Sequence, residues 1–274
     1  LYINSCNHEE TPNYSHLSRM TKLGLLDLSN NKLRKIHPFG KEIYPTTLYY
    51  DNNRIESIAP SEDGYFCGLG QLETFSCSNN QLTELPDLFD ARSVHSMITA
   101  NFSGNKISTL ANGDQWRGLN TETLNLADNH FSELPARLMD SGSRIETLML
   151  GSNGIRTIAE GALTGPYSYY LSTIDLSYNR LKEIPQKDFS AENLPYLYGI
   201  DLSNNALEAF PKAPLGIESL TVISVRCQRD DAGNRTLKEW PVGIGQSPKL
   251  AALYVGSNDI GLVDDVISPY ILIF

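Results

Sequence analysis

A unit of about 25 residues recurs through almost the whole chain, and it constrains the fold more than any other feature of the sequence. Its clearest copy runs from Leu171 to Pro185 with the spacing L-x-x-L-x-L-x-x-N-x-L-x-x-[IL]-P, which puts Asn179 at position 9. The same asparagine recurs at Asn31, Asn53, Asn80, Asn105, Asn129, Asn153, Asn205 and Asn258. Positions 4 and 6 share one face of a strand. One such strand cannot close a core, so each copy must be covered by its neighbours.

The asparagine at position 9 is predicted to hold the turn that follows each strand. Its amide carries two donors and one acceptor oxygen, which can bond backbone groups that the turn removes from the ladder. We expect these asparagines, stacked on one another, to form a buried polar column along the coil. A leucine there would leave those groups unpaired at about 1–3 kcal/mol each. The interval of 53 residues between Asn205 and Asn258 predicts one irregular unit.

This spacing resembles that of the leucine-rich-repeat family over almost the whole chain. Linkers such as Ile184-Pro-Gln-Lys-Asp-Phe189 are similar to the common form of that family. The resemblance implies an α/β solenoid, a horseshoe with a concave parallel sheet and a convex side of irregular segments, turns or short helices. We expect one domain over residues 1–274, with about ten full repeats and a partial repeat at each end, as a segment of a larger protein. Pro269–Phe274 aligns with Pro195–Ile200, which predicts Phe274 at position 4.

Charge and cysteine content limit the classes of function. A formal charge of −10 disfavours nucleic acid, whose phosphates require clustered Lys and Arg. No apolar run reaches about 18 residues, so no membrane span is expected. Cys77 is interpreted as a small core residue, and the lack of cysteine-rich caps favours a bacterial origin. The sequence contains no phosphate loop, nucleophile elbow or zinc motif, so we predict no catalytic, metal or cofactor site.

The solvent-facing positions of the predicted sheet supply one set of candidate binding residues. Position 3 is mostly threonine, which we interpret as a strand former because small, uniform side chains discriminate little between ligands. The candidates that break the template are Tyr49, Met149, Tyr178, Tyr198, Arg226 and Tyr254. Asp175 and Asp201 share position 5 in adjacent units, with carboxylates expected about 5 Å apart. We interpret them as solvated, each with a Ser or Thr donor; a cation site and a glycosidase pair are the alternatives.

The irregular unit supplies the leading candidate site. Arg226–Thr236 is read as an insertion with about seven extra residues, which a solenoid tolerates only as a protruding loop, and such loops often bind ligands. Within it Arg229, Asp230, Asp231 and Arg235 are candidate partner-binding residues alongside Arg226.

A tyrosine cluster precedes position 1 of two neighbouring units. Tyr170 and Tyr196 are expected to stack there, either as packing at the strand entry or as an exposed patch for sugar or protein.

These features favour a non-enzymatic recognition scaffold that binds another protein, as a monomer, in a secreted or cell-surface location. A carbohydrate-binding surface protein that uses the tyrosines with Asp175 and Asp201 is the alternative. A spacer whose function lies in domains outside this segment is a third hypothesis, and a cytoplasmic location is left open.

Overall fold

The computed structural model describes residues 1–11, 17, 19–37, 44–58, 71–85, 97–110, 121–139, 144–240, 243–261 and 272–273. Short parallel strands follow one another in sequence order, so the predicted solenoid is confirmed. The chain divides into two compact units. Unit 1 comprises Leu1–His130 with Ser141–Ile145, and unit 2 comprises Phe131–Asp140 with Glu146–Phe274. A single domain over the whole length stays a prediction.

Unit 1 contributes one sheet strand per repeat and a second, smaller strand pair. Its strands are β1 (Leu25–Asp27), β2 (Lys35–Ile36), β3 (Thr47–Tyr49), β4 (Ser57–Ile58), β5 (Thr74–Ser76), β6 (Met97–Asn101) and β7 (Thr121–Asn125). The sheet runs in the order β1-β3-β5-β6-β7, and β2 pairs with β4 outside it. Tyr2 also forms a parallel bridge to Asp27, so the partial first repeat joins the sheet as predicted.

Unit 2 is built in the same way. Its strands are β8 (Glu133–Leu134), β9 (Thr147–Met149), β10 (Thr157–Ile158), β11 (Thr173–Asp175), β12 (Gly199–Asp201), β13 (Val222–Ser224), β14 (Ala252–Tyr254) and β15 (Leu272–Ile273). The sheet runs β9-β11-β12-β13-β14-β15, and β8 pairs with β10. The expected short helices are 3-10 helices at Ser168–Tyr170, Ala213–Gly216 and Ile244–Gln246. No α-helix occurs among the described residues, and none of their helices has the length and apolar character needed to cross a membrane.

Positions 4 and 6 fill the core of each unit, as the alternation predicts. Ile174 and Leu176 are fully buried in unit 2, and in unit 1 the Phe75 ring lies 5.5 Å from the Phe102 ring. Cys77 takes position 6 and is fully buried, which confirms it as a core residue. Burial, and secondarily the charge of Asp51, raise the pKa of the Cys77 thiol well above its ordinary value, so the side chain is neutral.

The predicted polar column is present, and its hydrogen bonds run mainly between side-chain amides and the backbone of neighbouring repeats. In unit 2 Asn179 Nδ2 donates to the carbonyls of Leu176 (3.0 Å) and Leu150 (3.0 Å), while its Oδ1 accepts the Ile155 N–H at 3.0 Å. In unit 1 Asn105 makes the same set of bonds. Each asparagine therefore joins its own turn to the preceding repeat.

The irregular repeat continues this column with glutamine. Gln228 is fully buried; its Nε2 donates to the Leu202 carbonyl at 2.8 Å, and its Oε1 accepts the Leu207 N–H at 3.0 Å. The interval between Asn205 and Asn258 therefore contains a ninth-position amide that the asparagine pattern missed. Glutamine serves because it carries the same amide on a side chain one methylene longer.

Position 8 of each repeat adopts a left-handed backbone conformation, which turns the chain out of the strand. Asparagine, aspartate and glycine tolerate this conformation best. Tyr178 at φ 52° and Cys227 at φ 54° also adopt it, as do serines such as Ser152.

The register of the last strand differs from the prediction. Ala252 pairs with Leu272 and Leu253 with Ile273, so Ile273 rather than Phe274 takes position 4. The segment Ile271–Phe274 is apolar throughout, so alternation of polar and apolar side chains does not fix its register.

Replacing an asparagine of the column tests its contribution to stability. Asn179→Leu strands the Ile155 N–H and the carbonyls that Asn179 bonds, and it should lower the free energy of unfolding by about 3 kcal/mol. Urea denaturation followed by circular dichroism measures this. Glu183→Leu, which adds the same side chain at an exposed position, should stay within about 0.5 kcal/mol of the parent. Equal stability of the two variants would contradict the role of the column.

Candidate functional site

The solvent-facing row of unit 2 follows the predicted register. Position 5 is occupied in turn by Met149, Asp175, Asp201, Ser224 and Tyr254, each paired with the next across parallel strands. Adjacent strands lie about 4.8 Å apart, so each of these side chains neighbours the one before and the one after.

A depression of about 660 Å³ lies over this row, and we call it the sheet-face depression. It brings together five of the predicted residues from four repeats: Asp175, Tyr198, Asp201, Arg226 and Tyr254. Its floor includes Gly199, which lacks a side chain at the position where most other repeats have threonine. Convergence of acidic, basic and aromatic side chains on one hollow is typical of a recognition site.

The two aspartates of the depression are held by the turns that follow their strands. Asp175 Oδ1 accepts the Ser177 N–H at 2.8 Å, and Asp201 Oδ1 accepts the Ser203 N–H at 2.8 Å. Each carboxylate therefore has a serine donor as interpreted, but the bond comes from the serine backbone N–H and not from its hydroxyl. The second oxygen of Asp175 reaches toward the segment that follows β9, where a Cβ on Gly151 would come within 2.9 Å of it.

Arg226 and Tyr254 form the opposite wall of the depression. The Arg226 guanidinium lies 4.4 Å from the centre of the Tyr254 ring, a cation–π contact. The sequence placed Arg226 in the insertion, and this boundary is wrong. Arg226 takes the regular position 7 because the column residue of this repeat, Gln228, comes two residues later.

Exposed tyrosines lie in the depression and beside it: Tyr198 lines it, and Tyr196 precedes Tyr198 by two residues. Tyr196 and Tyr198 are 62% and 51% exposed. The ring of Tyr196 lies 6.0 Å from that of Tyr169, which in turn lies 4.0 Å from that of Tyr170. The expected stacking between neighbouring repeats thus runs through Tyr169, a residue that the sequence pattern did not single out for this contact.

The inserted residues form a hairpin that begins after Gln228 and ends before Leu237. Arg229 and Arg235 make an antiparallel bridge, and the fully buried Leu237 returns the chain to the core. Asp230 Oδ1 accepts the N–H groups of Ala232 (3.0 Å) and Asn234 (2.8 Å). We call Arg229–Arg235 the charged hairpin; the loop predicted at Arg226–Thr236 is therefore present, with narrower bounds.

Three further predicted residues lie outside both the sheet-face depression and the charged hairpin. Tyr49 belongs to unit 1, between Asp27 and Ser76 in the sheet. Met149 pairs with Asp175 on β9 but does not line the hollow. Tyr178 is 61% exposed at a left-handed turn position.

Two solved structures that this chain resembles over most of its length are leucine-rich-repeat proteins. No protein-family model matches the chain. Two solved leucine-rich-repeat proteins each cover 96% of it: one from Bacteroides thetaiotaomicron, 37% identical with a TM-score of 0.84, and one from Bacteroides eggerthii, 36% identical with a TM-score of 0.83. Lumican from Coturnix japonica is 31% identical over 138 residues, which make up 48% of this chain and 38% of lumican. This chain covers 32% and 45% of the two Bacteroides proteins, so it spans less than half of all three.

The repeat spacing, the stacked parallel strands and these two structures identify the chain as a leucine-rich-repeat protein.

The charged hairpin makes a direct prediction about ionisation. The side-chain and backbone N–H groups of Asn234 hold the pKa of the Asp230 carboxyl below its ordinary value, so an NMR titration should give a midpoint below about 3.9. Because the folded-state pKa is lowered, this carboxylate stabilises the hairpin above the ordinary pKa, and the contribution is lost as pH falls through the lowered value. Asn234→Ala should raise the midpoint toward the ordinary value. Asn193→Ala, elsewhere in unit 2, should leave it unchanged, and a shift in both variants would contradict the assignment.

Proposed function

We propose that this chain is a non-enzymatic recognition scaffold that binds a protein ligand through the sheet-face depression of unit 2. The observation that supports this most is the convergence of Asp175, Tyr198, Asp201, Arg226 and Tyr254 on one hollow. These residues come from four repeats, and none of them is fixed by the repeat spacing. Their side chains differ in charge and shape, which a surface needs in order to discriminate between partners.

The chemistry of the depression favours a partner segment that presents a lysine or arginine. Asp175 and Asp201 face such a cation with two carboxylates, and the half-exposed Tyr198 ring offers an aromatic face beside them. Arg226 is stacked on the Tyr254 ring at the opposite wall and repels other cations there. A ligand can therefore enter only if its own cationic group stays away from Arg226. The formal charge of −10 would speed the approach of a basic partner at low salt.

A carbohydrate ligand is the second candidate, and the exposed tyrosine rings favour it. Tyr169, Tyr196 and Tyr198 present aromatic faces of the kind on which sugar rings pack, next to carboxylates that accept hydroxyl hydrogens. We rank it below the protein ligand because the Arg226–Tyr254 pair leaves the opposite wall without an open aromatic face.

A bacterial source and a secreted or cell-surface location are part of the same proposal. The likeness to two Bacteroides proteins supports the source. The location is tested by adding a protease or an antibody to intact cells of the source organism and measuring whether it reaches the protein. Protection until the cells are lysed would contradict the surface assignment. The proposed monomeric state is checked by light scattering.

The ligand class is tested by selecting a random peptide library and probing a glycan array with the same chain. Peptides enriched in lysine or arginine should bind, and Tyr198→Ala should weaken the selected peptides at least about tenfold because it removes the aromatic contact. Asp201→Asn should weaken them as well by removing a charge. Tyr2→Ala, which removes an exposed tyrosine in unit 1, is the matched control and should change nothing.

A further variant separates the position of the charge from its presence. Gly151→Ala crowds the Asp175 carboxylate while keeping it, so peptide affinity should fall although the net charge is unchanged. Saturable glycan binding that Tyr198→Ala abolishes, without peptide enrichment, would overturn the protein ligand in favour of the sugar.

A further inference from the structure

A second depression of unit 2 differs in charge from the rest of the chain. It has a volume of about 890 Å³ and lies between the charged hairpin and the turns of three preceding repeats; we call it the hairpin groove. Six cationic side chains line it: Arg156, Arg180, Lys182, Arg229, Arg235 and Lys238. Three carboxylates also line it, which leaves a net of three positive charges in a chain whose formal charge is −10.

The carboxylates do not neutralise all of these cations. Glu208 lies 3.4 Å from Lys182, and Asp231 lies 3.7 Å from Arg156. Asp230 is engaged by N–H groups of the hairpin itself. Two of the three carboxylates are therefore paired with one cation each, and the third is bonded within its own loop.

Four cations of the groove have no ion-pair partner among the described residues. Within the part of the chain that the structure describes, Arg180 and Lys238 form no ion pair. Arg229 and Arg235 each donate one Nη1 hydrogen bond to a backbone carbonyl, of Gly233 (2.9 Å) and Asn258 (3.0 Å), and a carbonyl carries no net charge. These two bonds orient the guanidinium groups and leave their other N–H donors for a ligand.

The uncharged lining of the groove narrows the class of anion. It consists of asparagines, alanines, a threonine and Cys227, and contains no aromatic and no large aliphatic side chain. A protein segment usually anchors an aromatic or large apolar residue in a pocket, and single-stranded nucleic acid stacks its bases on aromatic rings. The hairpin groove offers neither, whereas it offers cations and amides to a ligand covered in oxygen atoms.

We propose that the hairpin groove binds an anionic polysaccharide, sulfated or uronate-bearing, through Arg180, Lys238, Arg229 and Arg235. This site is separate from the sheet-face depression and does not depend on the function proposed for it. Sulfate and carboxylate groups take the unpaired cations, and sugar hydroxyls reach amides such as that of Asn204 at the groove wall. Asp231, which projects from the hairpin to Arg156, competes with the ligand for that arginine.

Calorimetry with a size-defined sulfated heparin oligosaccharide tests the proposal on the full chain. We expect saturable binding that weakens by about a hundredfold between about 50 and about 200 mM NaCl, because ions compete with each of the four charge contacts. Arg180→Ala combined with Lys238→Ala should weaken binding by about tenfold or more. Arg54→Ala is the matched control: Arg54 is an exposed arginine at position 10 of its repeat, as Arg180 is, but lies in unit 1.

Asp231→Asn distinguishes a binding groove from a merely structural hairpin. It frees Arg156 from its ion pair and should strengthen oligosaccharide binding by about threefold, an effect that loss of hairpin structure would not produce. Thermal unfolding followed by circular dichroism shows whether each variant is folded. If the combined Arg180→Ala and Lys238→Ala variant is misfolded, Arg180→Gln combined with Lys238→Gln replaces it.

Three further probes decide between classes of ligand. Fully desulfated, N-acetylated heparin still bears uronates and should bind more weakly than the sulfated form. Poly-glutamate and oligo-dT of equal charge should bind at least about tenfold more weakly than the sulfated oligosaccharide. Tighter binding of either polymer, no binding of the sulfated oligosaccharide, or equal loss with Arg54→Ala would overturn the proposal.

Discussion

The side-chain amide at position 9 is the interaction on which each repeat depends. Asn205 shows how it works: its Nδ2 donates to the Leu176 carbonyl of the preceding repeat, and its Oδ1 accepts the Leu181 N–H of that same repeat. The backbone of one turn is therefore satisfied only when the next turn is present. Because an unpaired buried backbone group costs about 1–3 kcal/mol, this exchange couples neighbouring repeats in addition to their apolar contacts.

The amide column also separates residues that maintain the fold from residues that are available for binding. Positions 4, 6, 9 and 11 are committed to the core and to the column, and in unit 2 these side chains are mostly leucine, isoleucine and asparagine. The solvent-facing positions, including those in the segment after position 9, do not contribute to the core or to the column. Unit 2 uses them for two surfaces of different character, an acidic and aromatic hollow over the sheet and a cation-rich groove beside the charged hairpin.

Much of this arrangement could be predicted from the sequence because it depends on strict periods. Spacing alone gave the neighbours of Asp175 and Asp201 and the burial of Cys77 correctly. The errors arise where spacing carries no information. Gln228 makes the hydrogen bonds of a position-9 asparagine through a longer side chain. The asparagine pattern does not include it, and the predicted insertion therefore begins too early. The apolar run at the end of the chain leaves its register open.

The candidate sites were less predictable than the fold for a related reason. The pattern gave the row of each residue but not which rows join into a hollow. Tyr198 and Tyr254 therefore could be named, but their common depression could not. The ring of Tyr169 beside Tyr196 depends on a 3-10 turn with no periodic signal. The hairpin groove was equally hidden, because its cations come from turns that are distant in sequence, such as Arg156 and Lys238.

The way the charged hairpin joins the solenoid has a consequence for how such a chain can diversify. The amide column is closed at Gln228 before the hairpin leaves, and the Thr236 N–H returns to the Gln228 carbonyl at 3.1 Å as it comes back. This hydrogen bond therefore holds the two ends of the loop together, independently of the residues between them. Because loop-closure entropy grows slowly with loop length, longer loops or loops of different composition can replace the hairpin at a small cost in free energy. Related proteins can therefore change ligand at this position while they keep the same solenoid.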